Sequence, residues 1–148
     1  MTAAQRRYLR FEAAIAAVIN GVLSAIFVLA TFGGRLDVTN AELVRDAAPQ
    51  TFFVAMFTIL VPGLLTRRRI RAGVIAPLPQ ARGRRVPIVL RALLVAAGVT
   101  VIAVGLHAAL LPRLHGGWFL PGLLLYKVAY GAALGAVIAR LTLPSELI

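Results

Sequence analysis

The chain contains no cysteine. Disulfides, thiolate nucleophiles, cysteine-ligated metals and iron–sulfur clusters are excluded with it. Acidic side chains are also scarce, with 5 Asp and Glu against 16 Lys and Arg, for a formal net charge of +11. Charged residues make up only 14% of the sequence, where an ordinary soluble domain carries about 25%. No GxSxG, Walker A, HExxH or paired-carboxylate pattern occurs, so no catalytic residue is assigned and no enzyme is expected. His107 and His115 are the only histidines. Two are too few for a zinc site and a poor axial pair for haem, so neither a metal nor a cofactor is expected.

Apolar residues dominate instead, at 60% of 148 positions, with a mean hydropathy of +0.88. A water-soluble chain of this length cannot hide that much apolar surface. A bilayer core asks for about 20 mostly apolar residues per helix. Four stretches qualify, near residues 11–32, 49–65, 86–111 and 118–141. The expected fold is all-α: a polytopic membrane protein, one integral domain over 1–148, built as a bundle of four transmembrane helices. The first span follows Arg6, Arg7 and Arg10, but it is longer than a signal h-region and has Asn20 near its middle. It therefore reads as a retained helix.

The arginines set the orientation. The N-terminal tail carries Arg6, Arg7 and Arg10. The second connection carries Arg67, Arg68, Arg69, Arg71, Arg82, Arg84 and Arg85. The first connection has only Arg35 and Arg45, accompanied by Asp37, Glu42 and Asp46, and the third has only Arg113. Both termini and the second connection are thus expected in the cytoplasm, an N-in/C-in topology suited to a bacterial inner membrane. This placement also accounts for the basic excess, and no nucleic-acid motif accompanies it, so nucleic acid is not an expected partner. Arg67, Arg68, Arg69 and Arg71 are expected at anionic lipid headgroups. Pro77, Pro79, Gly73 and Gly83 argue against a continuous helix through this connection. Ile70, Val74 and Ile75 have the character to dip into the interface, though a plain basic anchor is the favoured reading.

In the first connection, Thr39-Asn40-Ala41-Glu42 forms a capping box. It predicts a short external helix over residues 41–47, stopped before Pro49. Pro62-Gly63-Leu64-Leu65 recurs as Pro121-Gly122-Leu123-Leu124, but at opposite ends of two spans, so the recurrence is not a repeat. Trp118 and Phe119 with Phe52 and Phe53 are the expected outer aromatic belt, and Tyr8 and Phe11 the inner one.

Helix faces locate candidate sites. Lys127, Gly131, Gly135 and Ala139 fall on one stripe of the fourth span, and Ala13, Ala17, Gly21 and Ala25 on one stripe of the first. Small residues at this spacing let backbones approach, so the two stripes are expected to pack together or to form a dimer contact. Asn20, Ser24 and Thr31 share one face of the first span; Thr51, Ala55, Thr58 and Pro62 one of the second; Ala96, Thr100, Ala103 and His107 one of the third. A modestly polar interior follows.

Lys127 lies roughly 13 Å below the outer boundary, about nine residues beyond Trp118 at 1.5 Å each. A lysine near the bilayer centre costs about 2.5–3.5 kcal/mol or more, so it is expected to face a cavity or a partner. By depth, a neutral His107 approaches it. Glu12 is expected to pair with Arg7, Arg10 or Arg140, and Asn20 to reach toward the centre. The leading expectation is a permease- or channel-like subunit whose path is lined by Lys127, His107, Asn20 and Thr100. The alternative is a non-transporting scaffold or accessory subunit that meets a homo-oligomeric copy or another membrane protein through Gly131, Gly135, Ala139, Ala13, Ala17 and Gly21. A cavity at Lys127 separates the first from the second.

Overall fold

The computed structural model describes residues 1–76, 86–114 and 117–147. Arg82, Arg84, Arg85, Pro77, Pro79, Gly83 and His115 lie outside them. The described chain is all-helical apart from one minimal pair of strands. Helix α1 runs Ala3–Phe32, α2 Asn40–Arg71, α3 Ile88–Leu110 and α4 Leu120–Thr142. Short 3-10 turns, Leu111–Arg113 and Leu143–Glu146, follow α3 and α4. All four helices are long and apolar enough to cross a membrane.

Two boundaries differ from the sequence expectation. Helix α1 begins at Ala3, because Thr2 caps it reciprocally with Gln5. The basic tail is therefore helical. Helix α2 begins at the expected capping box, where Thr39 and Glu42 satisfy each other's backbone N–H groups. It does not stop before Pro49, however, and continues to Arg71 with both Pro49 and Pro62 inside it. A proline inside a helix removes one i→i−4 bond and costs about 3 kcal/mol. Here the helix is held on both sides of Pro49, with Leu43, Asp46, Ala47, Gln50 and Thr51 all buried. At 32 residues and 1.5 Å each, α2 is about 48 Å long, well beyond a hydrocarbon core of about 30 Å.

The helices contact one another in the order α1–α4–α2–α3. Helix α4 lies along α1 and α2, and α3 packs on α2 while also touching α4 through His107 and Tyr126. Helices α1 and α2 meet only sparsely. The α4 stripe lies in the α1–α4 contact, but on α1 it meets Asn20, Ser24 and Ala16 as well as Ala13 and Gly21, while Ala17 and Ala25 are only half-buried. Gly131 and Gly135 seat against Asn20 and Ser24 of α1, while Gly21 faces Val128 and Ala132. Ala13 and Ala16 pack on Ala139. Between α2, α3 and α4 the core is Ala55, Ile59, Ile88, Ala92, Ala96 and Ile138.

A clasp closes one end of the bundle. Strand β1, Val38–Thr39, pairs antiparallel with β2, Gly117–Trp118. Asn40 then ties both connections: its Oδ1 accepts from Trp118 Nε1 at 2.7 Å and its Nδ2 donates to the Leu111 carbonyl at 2.8 Å. Val28, Phe32, Val38, Leu43, Leu111 and Leu123 form an apolar plug around it. Asn40→Ala leaves the indole N–H and a carbonyl without these partners, at about 1–3 kcal/mol. Trp118 is the chain's one tryptophan, so its emission should shift to the red in this variant while α-helical circular dichroism is kept. Unchanged emission would show that the clasp does not hold.

Candidate intramembrane polar site

Polar side chains from α1, α2 and α4 are buried between the helices. Lys127 is fully buried in α4, and it is the only lysine in the chain. Its Nζ donates to Asp46 Oδ2 at 2.6 Å and to Gln50 Oε1 at 2.7 Å. Asp46 and Gln50 are one turn apart on α2, so they present two acceptors on one face. Gln50 Nε2 in turn donates to Ser24 Oγ on α1 at 3.0 Å. The line Asp46–Lys127–Gln50–Ser24 thus crosses three helices. Two turns further along α2, Asn20 Nδ2 donates to Thr58 Oγ1 and to the Ala16 carbonyl, each at 2.8 Å. Thr51 and Tyr130 share a hydrogen bond of 2.5 Å.

His107 is buried but does not join Lys127. Its Nδ1 lies 2.7 Å from the Ala103 carbonyl, which can only accept, so Nδ1 carries the proton. In the neutral ring Nε2 then accepts from the Tyr126 hydroxyl at 2.8 Å. Thr100 stands apart from both groups, and its buried hydroxyl has no hydrogen-bond partner among the described residues. The four residues expected to line one path therefore fall into three separate places plus the Lys127 line. Thr31, expected on the polar face of α1, is exposed, and Pro62 is only half-buried. Phe52 packs into the α2–α3–α4 core. Phe53 stacks on Phe57.

Lys127 lines none of the described hollows; those near it run between α1 and α2. One, of about 290 Å³, is walled by Leu23, Ile26, Phe27, Phe53, Val54 and Phe57 and floored by Ser24 and Gln50. The next, of about 210 Å³, shares Leu23 and Phe57 and reaches down past Asn20 and Thr58 to Glu12. Together they form one lengthwise, almost wholly apolar cleft, with the buried side chains of Ser24, Gln50, Asn20 and Thr58 beneath it. Gln50 belongs to both the cleft lining and the Lys127 line.

No known family model, curated protein or solved structure matches the chain. The site must be read from its own chemistry.

The opposite end of the bundle is held by ion pairs. Glu12 pairs with Arg69 rather than with Arg7, Arg10 or Arg140. Helix α2 runs beside the start of α1 and brings Arg69 to it, also within 3.1 Å of the Tyr8 hydroxyl. Glu146, on the turn after α4, takes both Arg67 and Arg91. Arg67 and Arg69 are therefore engaged inside the protein, and of the expected headgroup set Arg68 and Arg71 are the exposed members. Among the described residues no group of three His, Cys, Asp or Glu side chains could hold a metal ion.

Proposed function

We propose that this chain is an integral membrane protein, N-in/C-in, whose polar intramembrane site serves an amphipathic molecule that enters sideways from the bilayer. Membrane insertion is supported by the apolar side chains left outside the bundle. Val18, Ile19, Val22, Leu93, Leu94, Val101 and Ile102 are each at least 42% exposed, and a soluble monomer does not leave so continuous an apolar belt in water. The single observation that carries the functional reading is the placement of Gln50. It lies beneath an apolar cleft and at the same time accepts from the buried Lys127. Ser24 and Gln50 are only 1% and 2% exposed, so a polar group reaches them, and the ion pair behind them, only when the apolar side chains over them move aside. Lys127 itself lines none of the described hollows, so the permease-like reading rests on the cleft beside its partner Gln50 and not on a cavity at the lysine; the closed Lys127–Asp46 pair offers no standing pore for a channel.

The absence of cysteine allows a clean test of both parts. Single cysteines at Arg7, Arg71 and Arg140 should react with a membrane-impermeant maleimide only from the cytoplasmic side, and one at Leu36 only from outside. Phe57→Cys, in the cleft, should react with a lipid-soluble maleimide and resist the charged reagent. Rapid reaction of Phe57→Cys with the charged reagent would replace the lateral cleft by an aqueous path.

A second reading has its own observation. The most apolar window of α3 is only 22% buried, so α3 offers an uncovered face for a membrane partner. The small-residue stripe of Gly131, Gly135 and Ala139 does not serve that role, because α1 already covers it.

A further inference from the structure

We infer that the cytoplasmic start of α1 carries a specific site for the phosphodiester headgroup of an anionic lipid, with Arg7 and Arg10 as its ligands. The inference rests on the membrane reading above but not on the cleft. A depression of about 690 Å³ lies over Ala4, Arg7, Tyr8, Arg10 and Phe11. Positions 4, 7, 8 and 11 share one helix face, and Arg10 is three residues from Arg7, so the two guanidinium groups flank the same hollow. Both arginines are exposed, and neither has an ion-pair partner among the described residues. The nearest acid along the helix, Glu12, is buried and already paired with Arg69, so it does not compete for them. Two like charges at this spacing repel each other. An anion held between them relieves the repulsion and accepts from two guanidinium forks, a geometry that fits phosphate oxygens.

The wall of the hollow is fixed. The Tyr8 hydroxyl lies 2.7 Å from Thr66 Oγ1 and accepts from Arg69, and the Arg69 guanidinium sits over the Tyr8 ring. Phe11, 62% exposed, stands on the membrane side of the arginines, where a lipid's acyl chains begin. This arrangement distinguishes a lipid from free phosphate, because the apolar step adjoins the charged one. Arg67 and Arg69 are paired with Glu146 and Glu12, whereas Arg7 and Arg10 have no ion-pair partner among the described residues.

The test is thermal denaturation of the purified full chain in mild detergent with added phosphatidylglycerol, phosphatidylcholine or inorganic phosphate. Phosphatidylglycerol should raise the midpoint by roughly 4–8 °C and the other two should not. Arg7→Gln/Arg10→Gln should remove most of that rise while keeping the lipid-free midpoint. Arg68→Gln/Arg71→Gln should keep the rise. An equal rise with inorganic phosphate would overturn the lipid assignment. A rise that survives Arg7→Gln/Arg10→Gln, or one lost equally in Arg68→Gln/Arg71→Gln, would overturn the site itself. Failure of the maleimide topology experiment would instead remove the membrane reading.

Discussion

Lys127→Met alone and Asp46→Asn alone should each lower stability by about 3–5 kcal/mol, and the double variant should recover much of the loss. The reason is that each single change leaves the other charge buried without its counter-charge. Lys127 is wholly buried and Asp46 is 8% exposed, so water cannot take over the missing role. Gln50 softens either loss only in part, since it offers Lys127 a neutral acceptor. When both charges go, no uncompensated ion remains, and the desolvation cost of the pair goes with them. The measurement is a double-mutant cycle on the solubilised protein. Additive losses would show that the two groups do not act as a pair. The same cycle bears on function: a double variant that folds well but loses ligand-dependent stabilisation separates the site's role from its part in folding.

Gly131→Ala should also be clearly damaging, though it adds only one methyl group. That methyl would stand 2.8 Å from the Asn20 carbonyl oxygen and closer still to the Ser24 hydroxyl. The carbonyl belongs to the α1 backbone and cannot swing aside, so α1 must move away from α4. Overpacking of this kind costs about 1–3 kcal/mol. It also disturbs Ser24, which accepts from Gln50, and therefore reaches the Lys127 line. Gly98→Ala is the matched control. Its methyl meets nothing within 4 Å, and Gly→Ala in such a helical position stabilises by about 0.4–1 kcal/mol. Equal behaviour of the two variants in detergent denaturation would mean that α1 and α4 do not pack through Gly131.

The four helices were legible because their signal is long and one-dimensional: apolar runs of bilayer length need no knowledge of neighbours. The Gly131 and Gly135 stripe was legible for a similar reason, since three- and four-residue spacing puts it on one face. The partner of Lys127 was hidden by one local rule. Taking Pro49 as a helix stop left Asp46 in an external loop, off the axis that carries Thr51 and Thr58. Once α2 is continuous through Pro49, Asp46 and Gln50 become one face at the level of Lys127. Only tertiary packing shows that the missing backbone bond at Pro49 is tolerated. The Glu12–Arg69 pair was hidden likewise, because the choice among many arginines depends on how far α2 extends. The cleft has no local signal at all: its lining comes from two helices whose relative placement only tertiary packing fixes.

The Lys127–Asp46 pair also imposes an order of events on biosynthesis. Its two members are 81 residues apart, so at about 5–20 residues per second Asp46 waits about 4–16 s for its partner to be made. During that interval α1 and α2 have been made, with the partners for their Asn20–Thr58, Ser24–Gln50 and Glu12–Arg69 contacts in place, while the helix that carries Lys127 has still to be translated. The first hairpin is therefore complete except for the partner of Asp46, which the last helix supplies. Asp46 lies within the first two turns of α2, so its carboxylate sits near a helix end where it can stay hydrated until Lys127 is made.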